Sequence, residues 1–135
     1  MRPVSEGVLI ETDVLADFLL SPEPSLLRKA FATAPCYTTV INAAELFSAV
    51  RDEREREAVQ ALLSGLRVIG LSARYAATIG ETVREVRQKG FEISERDAIV
   101  IGTAVAARLP VMTKQWSRKY EQYGCVHVVS AKELE

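Results

Sequence analysis

Short runs of β-forming residues alternate with helix-patterned segments along this chain, and that alternation leaves few folds open to it. Val8-Leu9-Ile10 reads as a short buried strand, and Cys36-Tyr37-Thr38-Thr39-Val40, Val68-Ile69-Gly70-Leu71, Pro110-Val111-Met112-Thr113 and Cys125 to Val129 read as four further strands. Between them, Val14 to Leu20 and Ser25 to Ala34 have helical character, separated by the Ser21-Pro22-Glu23-Pro24 break. Asn42 opens a helix that reaches about Val50, and the charge-rich stretch Arg51–Glu57 leads into another that stops at Gly65. Ser72 caps a long amphipathic helix with Tyr75, Ile79, Val83 and Val86 on one side, closed by Gly90.

The helix that starts at Ser94 is apolar nearly all round from Ala98 to Ala107, so it belongs in the interior. Its Gly102 and Ala104 permit a close approach to a sheet. Trp116 to Tyr123 forms a last short helix. No repeat, linker or low-complexity segment interrupts the pattern. Strands that alternate with helices predict a mainly parallel sheet covered on both faces, hence an α/β fold with one domain over residues 1–135.

The residue inventory narrows the chemistry. The chain has one histidine, His127, in an apolar stretch where strand burial is the expectation, and two distant cysteines, Cys36 and Cys125. A structural zinc site cannot be assembled from these, and a Ser/His/Asp arrangement would depend on that one ring. The cysteines are expected as small buried hydrophobes rather than a disulfide. No apolar run approaches the ~20 residues that span a bilayer, and Met1 to Gly7 lacks the apolar core of a signal peptide, so a cytoplasmic address is expected. A formal net charge of −1 carries no global signature of nucleic-acid binding; such a role needs a local basic rim.

The informative acids lie beside apolar segments. Glu11 and Asp13 end the first strand, and in extended chain they point the same way. Glu45 falls in the first turn of the helix after the second strand, and Asp97 in the first turn of the buried helix. In an open parallel sheet, strand C-termini and the following helix N-termini share one edge, so these acids can meet in one cleft. Each also has a local explanation. Asn42-Ala43-Ala44-Glu45 and Ser94-Glu95-Arg96-Asp97 resemble capping boxes, and Asp13 could be an N-cap. Their conjunction is what points to metal: carboxylates 4 Å apart repel by about 4 kcal/mol at an effective dielectric near 20, and a divalent cation removes that cost. Oxygen donors select hard ions such as Mg²⁺ or Mn²⁺.

Val8-Leu9-Ile10-Glu11-Thr12-Asp13-Val14-Leu15, Asn42-Ala43-Ala44-Glu45-Leu46, Arg96-Asp97-Ala98-Ile99 and Pro110-Val111-Met112-Thr113, in this order, resemble the PIN-domain family and within it the VapC-like toxin ribonucleases. The resemblance runs from Val8 to Val129. It implies a three-layer α/β/α fold with a five-stranded parallel sheet, Mg²⁺ or Mn²⁺ in an acidic pocket, hydrolysis of RNA phosphodiesters, an antitoxin partner and a homodimer. Glu45 and Asp97 match the second and third acids of that family's site. Glu11 stands where a leading Asp is usual, with Asp13 able to share its role, and Gln115 stands where Asp or Asn is usual after the fourth strand.

On this reading Glu11, Asp13, Glu45 and Asp97 are the catalytic and metal-binding candidates. Thr12, Thr113 and Gln115 are supporting ones, and Arg96, Lys114, Arg118 and Lys119 flank the acids as candidates for holding an RNA backbone. Trp116 is expected to pack the short helix onto the sheet, base stacking being its second possible role. An antitoxin would cover apolar grooves of the first helices, where Phe18, Leu19, Leu26, Leu27, Phe47 and Val50 are candidates. The alternative is a degenerate member of the same fold that acts as a binding or scaffold module, favoured by Glu11 and Gln115. A phospho-receiver domain is set aside because the third strand ends without an Asp.

Overall fold

A computed structural model describes residues 4–21 and 25–134. The expected break at Ser21–Pro24 lies largely outside the described residues, as does the start of the chain. Four parallel strands, β1 (Val8–Ile10), β2 (Cys36–Thr39), β3 (Arg67–Ile69) and β4 (Val111–Met112), form a sheet in the order β3-β2-β1-β4. Helices α1 (Thr12–Leu20) and α2 (Leu26–Thr33) connect β1 to β2. Helices α3 (Val40–Ser48) and α4 (Glu53–Ser64) connect β2 to β3, and α5 (Ala76–Gln88) and α6 (Glu95–Ala107) connect β3 to β4. Helix α7 (Ser117–Tyr123) follows β4.

The expected fifth strand is reduced to a single parallel bridge, Val111 to Val128, held by Val111 N–H to His127 O and Val129 N–H to Val111 O, each 2.9 Å. His127 is therefore not a buried strand residue. Its ring is partly exposed and lies 2.7 Å from Glu133 in the C-terminal turn.

Alternation along β1 divides the core between two layers. Val8 and Ile10 join Val14, Leu15, Leu27, Leu46 and Leu62 on one face of the sheet. Leu9 faces the other side with Val86, Val100, Ile101, Ala104 and Tyr120. Cys36 is buried, which pushes its thiol up to about 11, and both cysteines are free thiols. Helix α6 packs chiefly on α5 rather than on a strand: a Cβ on Gly102 would lie 2.6 Å from Ile79 Cγ1 and 2.8 Å from its Cα. Glycine is thus required there by helix–helix contact.

Caps place the helix starts. Ser94 Oγ accepts the Asp97 N–H, as its spacing predicts. Helix α3 begins earlier than expected because Thr39, not Asn42, is its N-cap; Asn42 is the third helical residue of a Thr39–Asn42 capping box. Glu45 consequently lies in the second turn. Ser72 caps a short 3₁₀ turn, Ala73–Tyr75, that leads into α5. At the far end of the α7 hairpin, Gly124 adopts φ +70°, which its missing Cβ makes inexpensive.

Candidate functional site

The strand order reverses between β1 and β4: successive strands step from β1 to β2 to β3, then β4 is added on the other side of β1. Crevices outside the C-terminal ends of such strands are where open α/β sheets bind ligands. Glu11 is the first residue beyond β1 and the N-cap of α1, and it is fully buried. Glu45 reaches the same point from α3 and Asp97 from α6.

These three carboxylates converge on a guanidinium. Arg96 donates from Nη1 to Glu11 Oε2 (2.7 Å) and Asp97 Oδ1 (3.0 Å), and from Nη2 to Glu11 Oε1 (2.6 Å) and Glu45 Oε1 (2.9 Å). Its Nε donates to Glu45 Oε2 at 3.0 Å. The remaining carboxylate oxygen, Asp97 Oδ2, accepts from Lys119 Nζ at 2.8 Å. Thr12 Oγ1 donates to Glu45 Oε1 (2.5 Å) and accepts from Asn42 Nδ2 (2.9 Å), which also donates to Glu11 Oε1 (2.7 Å). The Tyr120 hydroxyl, completely buried, donates to Glu11 Oε2.

The electrostatics follow from that packing. Burial pushes the Asp97 carboxyl up, but the hydrogen bonds from Lys119 and Arg96 outweigh it and hold it below the ordinary aspartate value. Burial likewise raises Glu45, and the bonds from Arg96 and Thr12 reverse the sign. Burial and the adjacent Glu11 carboxylate drive the Tyr120 phenol well above its usual range, so it stays a neutral donor. Burial lowers Arg96, yet Glu11 and Glu45 raise it further, so it remains a cation throughout. Three carboxylates against Arg96 and Lys119 leave a local charge of −1.

Asp13 is held apart from this group. The chain turns helical at Thr12, and two residues in a helix diverge by ~200°, so Glu11 and Asp13 do not point the same way. Asp13 Oδ2 instead accepts from Thr113 Oγ1 (2.9 Å), Lys114 N (2.8 Å) and Gln115 N (2.7 Å), pinning the start of α1 to the turn after β4. Gln115 contributes its backbone N–H there. Lys114 Nζ pairs with Asp17 at 3.1 Å, and Arg118 is exposed on α7. Trp116 is half-buried and lies under Arg96, whose guanidinium carbon is 5.1 Å from the ring centroid.

The residues that local reasoning missed are Asn42 as a ligand of Glu11, and Tyr120. The Asn42 signal was present in its position one helical turn before Glu45, on the same face. Nothing near Tyr120 in sequence marks it.

A family model for the PIN domain matches residues 8–116. The chain belongs to the PIN domain family. PIN domains are generally nucleases, and the family generally uses a divalent metal. Solved structures share the fold over nearly the whole chain. A DNA-bound VapBC from Salmonella typhimurium is 21% identical with a TM-score of 0.81, covering 94% of this chain and 98% of that one. VapBC2 from Rickettsia felis bound to a promoter fragment is 19% identical with a TM-score of 0.78, covering 91% and 97%. VapBC-1 from nontypeable Haemophilus influenzae is 13% identical with a TM-score of 0.77, covering 93% and 98%. No curated protein sequence matches the chain.

The side chains that converge at this edge, Glu11, Glu45 and Asp97, offer oxygen donors alone. Hard oxygens are the right chemistry for Mg²⁺ or Mn²⁺. Among the described residues, however, no group of three or more His, Cys, Asp and Glu side chains is arranged to hold one, because the oxygens of Glu11, Glu45 and Asp97 are all committed to Arg96 and Lys119. In this arrangement the residues do not fit the ion. No helix among the described residues is long and apolar enough to cross a membrane.

Proposed function

We propose that this PIN domain is a metal-dependent endoribonuclease, the toxin of a toxin–antitoxin pair, hydrolysing RNA phosphodiester bonds in the cytoplasm. The observation that carries the reading is the convergence of Glu11, Glu45 and Asp97 at the switch point of the sheet. Nothing local requires it: the Asp97 N–H is already capped by Ser94, and the cap of α3 is satisfied without Glu45. Arg96 and Lys119 offset all but one unit of charge among these acids, and the hard oxygens gathered at this edge are of the kind that Mg²⁺ or Mn²⁺ takes. Asp13 supports the site by fixing the turn that carries Thr113 and Gln115, rather than as a ligand.

Lys114 and Arg118 are exposed and suited to an RNA backbone, and Arg96 and Lys119, paired with the acids, are the other candidates for it. An antitoxin is proposed to cover the apolar groove lined by Phe18, Leu19, Phe31, Ala58, Ala61 and Leu62. Leu27 is fully buried and belongs to the core instead. Support comes from the solved neighbours, several of which are themselves VapBC or toxin–antitoxin complexes. A homodimer is proposed on the same family grounds.

The commitment of every carboxylate oxygen to Arg96 and Lys119 favours a second reading, a PIN fold retained for binding with little or no cleavage. One comparison decides between them: cleavage of a structured RNA with and without Mn²⁺ by the natural chain and by Asp97→Asn. Metal-dependent cleavage that Asp97→Asn abolishes is the expected result. No metal-dependent cleavage by the natural chain, or full activity in the variant, overturns the nuclease reading.

A further inference from the structure

The guanidinium of Arg96 sits among the oxygens of all three acids. We propose that Arg96 is an internal counter-ion that competes with a divalent cation for the oxygens of Glu11, Glu45 and Asp97, so that the site admits the ion only when Arg96 leaves. The inference rests on the metal-dependent reading given above.

The exclusion is steric. Five of the six oxygens of these carboxylates lie 2.6–3.0 Å from guanidinium nitrogens, and the sixth lies 2.8 Å from Lys119. Mg²⁺ demands oxygens at about 2.0–2.1 Å around one centre, and a planar guanidinium cannot share that centre. The exchange is favourable in charge. With Arg96 and Lys119 against three acids the cluster carries −1; a divalent ion in place of Arg96 brings it to zero.

Arg96 can leave because its side chain is 22% exposed, and its guanidinium gives up its contact with the Trp116 ring, 5.1 Å from the centroid in the paired state, when it does. Glu11, by contrast, is fully buried and tethered by Asn42 and Tyr120, so its carboxylate stays while the guanidinium moves.

A latch of this kind weakens apparent affinity by the fraction of molecules in which it is open; an open fraction of about a tenth weakens it about tenfold. The test is calorimetric titration of EDTA-stripped natural chain, Arg96→Gln and Arg96→Lys with MgCl₂, with a parallel fluorescence titration that follows the emission of Trp116, the only tryptophan in the chain. Arg96→Gln is expected to bind Mg²⁺ about tenfold tighter or more, since no cation opposes entry. Arg96→Lys is expected in between, because a single ammonium cannot fork to three carboxylates. Mg²⁺ should change Trp116 emission in the natural chain and not in Arg96→Gln. Should Arg96→Gln fail to fold, the comparison with Arg96→Lys decides. Equal Mg²⁺ affinity in the folded proteins, or tighter binding by the natural chain, overturns the latch and leaves the metal-dependent reading standing. Absence of Mg²⁺ binding in all of them overturns both.

Discussion

Replacing Glu11 by Gln keeps shape and volume while removing one charge from a fully buried position, so its cost measures how much the network depends on that carboxylate. Glu11 Oε1 accepts from Asn42 Nδ2 (2.7 Å), Arg96 Nη2 (2.6 Å) and Thr12 N (3.2 Å), and Oε2 from Arg96 Nη1 (2.7 Å) and Tyr120. All five partners are donors. A glutamine must place an N–H₂ against one set of them. Facing Tyr120 costs least, because the hydroxyl can turn to accept, but Arg96 Nη1 then meets a donor.

One charge-assisted bond is lost and the second keeps only the charge of the guanidinium, at ~1.5–3 kcal/mol for a bond to a charged group. Removing one partner of a wholly buried pair costs ~3–5 kcal/mol, reduced here because Arg96 is 22% exposed and keeps Glu45 and Asp97. The expectation is a loss of about 3 kcal/mol, or ~10 °C in Tm for a domain of this size. Urea unfolding in EDTA, with an unchanged m-value, measures it. Glu11→Asp retains the charge but withdraws the carboxylate by about one bond length, ~1.5 Å, so it should fall between the two. If Glu11→Gln unfolds within ~0.5 kcal/mol of the natural chain, the buried carboxylate does not organise the cluster and the reasoning fails.

Asp13→Ala removes the acceptor for Thr113, Lys114 and Gln115 and should cost about 1–2 kcal/mol by urea denaturation, less than the loss expected at Glu11. Gly102→Ala drives a methyl into Ile79; about 1–3 kcal/mol of overpacking, less ~1 kcal/mol of helix propensity, leaves net destabilisation that thermal unfolding would register. Asp97 and Glu45 are both held below their ordinary values in the folded chain. Their contribution to stability is therefore complete above the unfolded carboxyl values near ~4 and is lost as pH falls through the lower folded ones. Lys119→Gln should flatten that acid limb in pH-resolved denaturation, since it removes the largest stabilising partner of ionised Asp97.

How far local pattern reaches is clear at particular residues. Ser94 and Gly65 act as helix boundaries where their chemistry indicates, because a cap needs partners only a few residues away. Asn42 misled by three positions: Thr39 could cap equally well, and β2 ends at Thr39, which moved the helix start upstream. The fifth strand was misread because β-forming residues from Cys125 onward meet β4 over only one bridge, a length that β-propensity does not specify.

By itself the sequence determined the three-layer α/β architecture and the sheet edge on which the acids fall. Strand and helix periodicities are local, and parallel strands with helical connections have one common C-terminal edge. Only the tertiary structure decided which acids share a site and what they hold. The turn from strand to helix at Thr12 sends Glu11 inward and Asp13 away, and that depends on the single residue at which the backbone changes conformation. Arg96 and Tyr120 meet Glu11 across sequence separations of 85 and 109 residues. Such contacts arise from how α6 and α7 seat against the sheet, which no short-range pattern records. Residue pattern alone sets Arg96 beside the acids as an RNA-backbone candidate; packing puts it at their centre.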